Sequence, residues 1–295
     1  MRPRPARVPF DPRRAGGRPG SEQPPLRADR LDAAAIQAGL RTRWLARTLH
    51  LFEEVDSTNR VAQELARQGA VPGTTVIAES QSAGRGRLGR SFFSPPHQNL
   101  YTSIVLHPTA TAADASAFVL AAAVAVADTV AAFVRDPSRV EIKWPNDVQV
   151  DGLKVSGILL ELGSDGARVA HLVMGIGVNL NAPRESLPEE FRGRASSLRS
   201  CLGAPVDRAA FVRDLYERLE PILERCAERG FGGVLPAFEA HFRMRGRAVR
   251  VADLAGRTQD GVVTGVAPDG ALRLRTGAGE IRVVAGDVTI LKEPA

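Results

Sequence analysis

Apolar and polar positions along this chain follow two rhythms, and the changes of rhythm mark its elements. Leu31, Ile36 and Leu40 outline a short helix, and Leu49 to Val55 then reads as a strand. Asp56-Ser57-Thr58-Asn59 follows, four residues that each favour helix N-caps. Val61, Ala62, Leu65 and Ala66 share one face of a helix that stops at Gly69. Thr74 to Ala78 is a strand, with Glu79 to Ala83 leading out of it, and Asn99 to His107 is another. Asp114 to Val134 is a long Ala-rich helix. Its apolar run is interrupted by Asp128 and is short for a membrane span, so it predicts a buried helix against a sheet.

The pattern then turns to β. Val140 to Lys143, Val148 to Val150 and Leu153 to Leu162 surround an Asp151-Gly152 turn, a strong hairpin signal. Ser164-Asp165-Gly166 makes a second turn before a strand from Val169 to Leu180. Three antiparallel strands in succession rule out a doubly wound parallel sheet here. Asn181 to Leu198 reads as a loop with Pro183 and Pro188, and Ala210 to Ala227 and Val234 to Phe242 as helices. From Gly246 short β runs alternate with turns such as Pro268-Asp269-Gly270, the spacing of a small β-barrel. The division is a tail over 1–25, a main α/β domain over 26–245 and a β domain over 246–295.

Charge changes little once it is located. The net charge is +6 over 295 residues, and residues 1–30 hold eight arginines against Asp11, Glu22 and Asp29, five of those six charges. The rest of the chain is near neutral and its charge calls for no polyanion partner. The first 25 residues, rich in Arg, Pro and Gly, cannot bury enough apolar surface to order themselves. They have no apolar core of a signal peptide, and their prolines oppose the helix of a transit peptide. Cys201 and Cys226 make no disulfide framework or metal cluster. Their simplest reading is free thiols in a reducing cytoplasm.

Three stretches carry candidate chemistry. Gly84-Arg85-Gly86-Arg87-Leu88-Gly89-Arg90 alternates glycines that tolerate positive φ with arginines suited to phosphate or carboxylate. A solvated basic turn or an RG-rich nucleic-acid tract is the plain alternative. Its place between two strand patterns favours an anion-binding loop, with backbone N–H groups in a concave array. It matches neither the Walker A nor the Rossmann spacing. Lys143-Trp144-Pro145-Asn146-Asp147 is the second stretch, with Lys154 beyond the hairpin turn. A surface lysine is the ordinary reading of Lys154, and a core residue that of Trp144. The third, Gly175-Ile176-Gly177-Val178-Asn179-Leu180-Asn181, places glycines in a strand, where they mark close approach of a ligand or backbone. Ser57, Thr58 and Asn59 sit at a strand-to-helix junction. One of them caps the helix, and the others are left for a ligand.

Taken together, Ser57-Thr58-Asn59, Glu79 to Arg90, Lys143 to Asp147, Lys154 before Ser156-Gly157-Ile158, and Gly175 to Asn179 resemble the biotin protein ligases, in that family's order and spacing. The resemblance covers Leu49 to the C-terminus. It implies an α/β (α+β) catalytic domain with a mixed, largely antiparallel sheet, like the class II synthetase-like biotin/lipoate ligases, and a small SH3-like β-barrel. It also implies the reaction. Biotin and ATP, with Mg²⁺, give biotinyl-5′-AMP and pyrophosphate, and biotin then passes to a lysine of a biotin carboxyl carrier protein domain of a carboxylase. Ser57, Thr58, Asn59, Gln81, Arg85, Gly86, Arg87 and Lys154 match its biotin positions. Arg87, Arg90, Lys143, Asn146 and Asn179 match its ATP and adenylate side, Asn179 together with Ala195 to Leu198. Lys154, Arg87, Lys143 and Asp147 are the catalytic candidates, with Lys154 bridging carboxylate and α-phosphate. Meeting anions need cations to offset their repulsion, and the 84–90 loop doubles as a lid against water. The resemblance names no Mg²⁺ ligands. It implies a cytoplasmic monomer or weak homodimer, with no DNA and no membrane partner. A bifunctional ligase/repressor carries an N-terminal winged helix, for which the residues before Leu49 are too few. A lipoate or octanoate ligase of the same superfamily is opposed by the intact basic loop and Lys-Trp-Pro-Asn-Asp.

Overall fold

The structure, a computed structural model, describes residues 30–107, 115–165, 168–253 and 256–291. The tail expected over 1–25 lies outside these residues. Seven strands form the main sheet: β1 (Leu49–Val55), β2 (Thr75–Gln81), β3 (Leu100–Leu106), β4 (Val140–Lys143), β5 (Asp147–Val150), β6 (Leu153–Asp165) and β7 (Arg168–Val178). Their order is β1-β2-β3-β7-β6-β5-β4. Only β1 and β2 run parallel, and the helix α2 (Thr58–Arg67) between them supplies the crossover that a parallel pair needs. Every other neighbouring pair is antiparallel. Asp151 and Gly152 both take positive φ, 53° and 75°, the requirement of the tight hairpin turn between β5 and β6.

Period-two alternation gives the sheet two cores. Val76, Val105 and Val173 face Ala62 and Ala66 of α2. Their sequence neighbours Ile77, Ile104 and Met174 face the larger core on the other side. That core holds α3 (Ala115–Phe133) and α6 (Arg208–Arg229), which pack on each other, and α7 (Leu235–His241). By length and composition α3 could cross a bilayer. Here it lies inside the protein on β4, β5 and β6, as a helix apolar on all sides does in a core.

Two polar anchors hold α6, one to the sheet and one to the segment that precedes β1. Arg208, fully buried, pairs with Glu79 of β2 at 2.6 Å and also donates to the Asn99 carbonyl. The other oxygen of Glu79 accepts the Leu31 N–H at 2.8 Å. Further along α6, the Glu220 carboxylate accepts the backbone N–H groups of Arg43, Trp44 and Leu45. The short helix α1 (Ala33–Ala38), capped by Asp32, lies in the same N-terminal segment.

A second sheet, wholly antiparallel, contains β8 (Ala248–Ala252), β9 (Thr258–Val266), β10 (Leu272–Thr276), β11 (Gly279–Val283) and β12 (Asp287–Ile290) in the order β11-β10-β9-β8-β12. Trp144 joins it to the main sheet. Its indole N–H donates to the Gly270 carbonyl at 3.0 Å, and Arg247 pairs with Glu141 at 3.0 Å. Gly270 has φ +89°, and a Cβ there would lie 2.7 Å from Leu120 Cδ1.

Three local expectations shift. The strand read as ending at Ala78 continues to Gln81, because β1 pairs with it in register as far as Val55 and Gln81. Ser164 and Asp165 belong to the β6–β7 ladder, opposite Val169 and Arg168, so they are not the turn. The stretch read as a loop over 181–198 holds a 3-10 turn, Arg184–Ser186, and a short helix α4 (Glu189–Arg192). Two prolines masked both, although Glu189 and Glu190 are well placed at a helix start. A further short helix, α5 (Leu198–Leu202), follows.

Candidate active site

A cleft opens where the β1–α2 junction, the end of β2 and strands β3, β6 and β7 meet. Ser57, Thr58, Asn59, Gln81 and Arg85 line it. Ser57 stands at the N-cap of α2 with extended backbone, yet its hydroxyl makes no cap bond. The first N–H of the helix, that of Thr58, instead goes to Gln81 Oε1 at 2.9 Å. The expectation that one of these side chains caps the helix is therefore corrected. A side chain from β2 does that work.

The polar wall is a chain of hydrogen bonds. Gln81 Nε2 donates to Ser94 Oγ at 3.0 Å, and Ser94 donates to the Phe92 carbonyl. Thr58 Oγ1 lies 3.1 Å from Gln81 Oε1 and 2.7 Å from Ser103 Oγ. Ser103 Oγ is 2.6 Å from Asn59 Oδ1, and Asn59 Nδ2 donates to Glu161 at 2.9 Å. Arg85 Nη1 lies 3.4 Å from the other Glu161 oxygen. The cleft floor is paved with glycine from neighbouring strands, Gly157 opposite Gly177 and Leu159 opposite Gly175. A Cβ at Gly175 would lie 2.2 Å from Asn59 Oδ1, and one at Gly177 2.5 Å from the Phe92 ring. The strand glycines do mark close approach, and the neighbours are Asn59 and Phe92.

The basic loop differs from its expectation. Positive φ falls on Leu88 (56°) and Gly89 (71°), not on Gly84 or Gly86. Gly84 is required for closeness instead, since a Cβ there would lie 2.6 Å from the Phe92 carbonyl. The N–H groups of Gly86, Arg90 and Phe92 bond within the loop, to Arg90, Arg87 and Gly84 carbonyls. The N–H groups of Gly86 and Arg90 are thus committed within the loop and are not part of a concave array. Arg87 donates to Asn146 Oδ1 and to the Gly286 carbonyl, both at 3.0 Å, and Arg90 pairs with Asp287. Two of the loop's three arginines, Arg87 and Arg90, therefore reach the start of β12, a contact with no signal in the local sequence. Burial lowers the Arg87 guanidinium pKa, against the opposing effect of Asp287 and Asp147. Burial would raise the Asp287 carboxyl, but the Arg90 hydrogen bond and nearby cations, Lys143 among them, hold it below its ordinary value.

Lys154 is not an ordinary surface residue. Its ammonium lies 2.6 Å from Asp147 Oδ1, with both side chains mostly covered. Asp147 Oδ1 has no well-directed hydrogen-bond donor, so this contact is an ion pair. A Cβ at Gly157 would lie 2.9 Å from Lys154 Nζ, which puts the ammonium against the cleft wall. The backbone of Lys154 is pinned on both sides by Arg194 and Ser196. Asn146 donates to the Ile158 carbonyl, and Asn179 donates to the Ser196 carbonyl at 3.0 Å. Asn179 and the 195–198 segment do lie together, with the amide committed to the main chain. Gly86, Arg87 and Lys154 stand beside the cleft and are not among its lining residues.

Sequence reading missed Glu161, Ser94, Ser103 and Asp287. Ser103 and Glu161 left a trace as polar residues inside apolar strands. Among the described residues no cluster of three or more acidic, His or Cys side chains could hold a metal.

Comparison with known proteins agrees with this geometry. Residues 51–179 match the biotin/lipoate A/B protein ligase family, and residues 246–291 match the biotin protein ligase C terminal domain. The chain is 31% identical over 261 residues to the bifunctional ligase/repressor BirA of Bacillus spizizenii, covering 88% of this chain and 79% of that protein. It is 33% identical over 239 residues to the biotin–[acetyl-CoA-carboxylase] ligase of Paracoccus denitrificans, covering 81% and 98%. The biotin protein ligase of Aquifex aeolicus, solved with biotin and ATP, superposes with a TM-score of 0.72 at 27% identity, covering 84% of this chain and all of that one. On these similarities and the shared architecture, the chain belongs to the biotin protein ligase family.

Proposed function

We propose that this chain is a biotin–[biotin carboxyl carrier protein] ligase. A biotin carboxylate oxygen attacks the α-phosphorus of ATP, and the bond to pyrophosphate breaks. A lysine amine of the carrier domain then attacks the acyl carbon of biotinyl-5′-AMP, loses a proton, and AMP departs. The observation that carries this reading is the Lys154 ammonium at the wall of a polar cleft, with Arg87, Arg90 and Lys143 on the same side. The polar wall of Ser57, Thr58 and Gln81 suits the ureido head, and the apolar strand residues around it suit the hydrocarbon body. Lys154 then stands where carboxylate and α-phosphate meet. Its charge offsets their repulsion and the charge that develops at phosphorus. Asp147 holds Lys154 in place, and Asn146 holds Arg87.

Arg87, Arg90 and Lys143 serve the polyphosphate, and Asn179 shapes the segment over 195–198 for the adenine side. Mg²⁺ would come with ATP and screen its phosphates, held chiefly by the nucleotide, since among the described residues no cluster of three or more acidic, His or Cys side chains could hold it. With two cysteines and no disulfide framework in the sequence, a reducing cytoplasm is the working compartment of this reading. Residues 26–245 are the catalytic domain and 246–295 the small C-terminal one.

Pyrophosphate exchange into ATP tests the reading, since adenylation is reversible. Exchange is expected with biotin and not with lipoate or octanoate. Equal exchange with lipoate would overturn the choice of substrate.

A further inference from the structure

Cations gather where the 84–90 loop meets the second sheet, and two carboxylates answer them. Asp147 is committed to Lys154, 2.6 Å away. Arg87 donates to two neutral oxygens, Asn146 Oδ1 and the Gly286 carbonyl. Arg90, in the same loop, pairs with Asp287. Lys143 stands opposite Asp147 in the β4–β5 ladder and acts on Asp287 through space. Asp287 therefore feels Arg90, Lys143 and Arg87 together, the three cations assigned to the polyphosphate of ATP. A carboxylate among those groups takes the electrostatic place of a phosphate. Its contact is also one that can be exchanged. The Arg90 and Asp287 side chains are 62% and 33% exposed, and an ion pair so well solvated is weak. Asp287 begins β12, a four-residue strand at the edge of its sheet, beside β8 alone. A guanidinium takes phosphate with the same fork that it offers to carboxylate. The neutral Asn146, by contrast, can keep its hold on Arg87 when a phosphate arrives.

We infer that Asp287 is a positioning residue that competes with polyphosphate for Arg90, holding that guanidinium beside the cleft while the site is empty and taking it back as pyrophosphate leaves. The inference rests on the reading that Arg87, Arg90 and Lys143 serve the phosphates. ATP must then either part Arg90 from Asp287 or bind with a like charge beside it. Both lower the affinity for polyphosphate, and both favour its release. Adenylation keeps one phosphate in the adenylate and sets the other two free as pyrophosphate. The Arg90–Asp287 pair re-forms as they go. A residue that merely supported Arg90 would have the opposite sign, because its removal would let the arginine stray and the ligand would bind more weakly.

The experiment is calorimetric titration of pyrophosphate and of ATP, each with Mg²⁺, into the parent chain, Asp287→Asn, Asp287→Glu, and Arg90→Ala with and without Asp287→Asn. Thermal melts and biotin affinity are measured alongside. Asp287→Asn is expected to tighten both polyphosphates roughly 5- to 20-fold, the effect of one like charge a few ångströms away and one partly solvated ion pair. Asp287→Ser, a second uncharged variant, should do the same, and the gain should shrink as salt is raised. Asp287→Glu keeps the charge and should keep the parent affinities. Biotin affinity should not follow the change, since biotin lies away from this pair. With Arg90 already replaced by Ala, Asp287→Asn should tighten pyrophosphate much less, because no guanidinium is left to compete for. If the uncharged variants leave polyphosphate affinity at the parent value or weaken it, or if Asp287→Asn acts equally with and without Arg90, the inference is overturned. A parent chain that binds neither ATP nor pyrophosphate overturns the reading of these cations, and this inference with it.

Discussion

Lys154→Ala puts the fold and the chemistry on separate scales. The Lys154–Asp147 pair is close at 2.6 Å, but both side chains keep some solvent access, 33% and 20%. A partly solvated pair of this kind is worth about 0.2–1 kcal/mol. Asp147 keeps the guanidinium of Arg87 nearby when the lysine is gone. The variant should therefore melt within roughly 4 °C of the parent. Catalysis follows a different scale. A cation placed where two anions meet acts mainly on the transition state, and losing such a contact costs about 3–4 kcal/mol, or roughly 10²–10³ in rate. Loss of ground-state contact with the biotin carboxylate adds to that. Lys154→Arg should recover little, because a planar guanidinium fork does not replace the point charge of an ammonium. Single-turnover formation of biotinyl-AMP, with a melt on the same preparations, reads both scales. A Lys154→Ala chain that adenylates biotin at close to the parent rate would refute the placement of this lysine and the site map built around it.

Other outcomes follow from the same contacts. Glu79→Gln or Arg208→Ala leaves a buried group without its partner and should cost about 3–5 kcal/mol, a fall in Tm on the order of 10 °C, while Glu79→Leu with Arg208→Met should cost less than either single change; single variants that melt like the parent would refute this. For Glu220, burial alone would raise the carboxyl, but the backbone N–H groups of Leu45, Arg43 and Trp44 outweigh it and hold the pKa below the ordinary glutamate value. A depressed folded-state pKa stabilises above the unfolded value and is lost as pH falls through the folded one. The parent's Tm should therefore drop on acidification more steeply than that of Glu220→Gln, and equal slopes would remove Glu220 from the acid limb. Gly177→Ala should push the Phe92 ring out of place and weaken biotin binding at least tenfold, which titration calorimetry reads directly; unchanged affinity would show that the cleft floor has slack.

Much of this protein could be read from its sequence because its signals are local. The short apolar runs of β2, β3 and β7, the Asp151-Gly152 turn, and the all-apolar stretch of α3 each follow from backbone geometry and burial within a few residues. Of the residues that line the cleft, Ser57, Thr58, Asn59 and Arg85 are legible as polar groups at a junction and in a glycine-rich loop, and Gln81 only through the family resemblance. What only the tertiary structure decided depends on partners far apart in sequence. Gln81 and not Ser57 satisfies the start of α2, because the parallel pairing of β1 and β2 lays the end of one strand beside the start of the helix. Arg87 and Arg90 meet Gly286 and Asp287, about 200 residues away, across a contact that no local pattern encodes. Glu161 reads as an ordinary polar residue on an apolar strand until β6 and α2 are brought together and Asn59 comes within 2.9 Å of it. Burial fixes which residues lie inside, and long-range register fixes which polar groups meet there. The second is set by the whole sheet at once, so no stretch of sequence carries it alone.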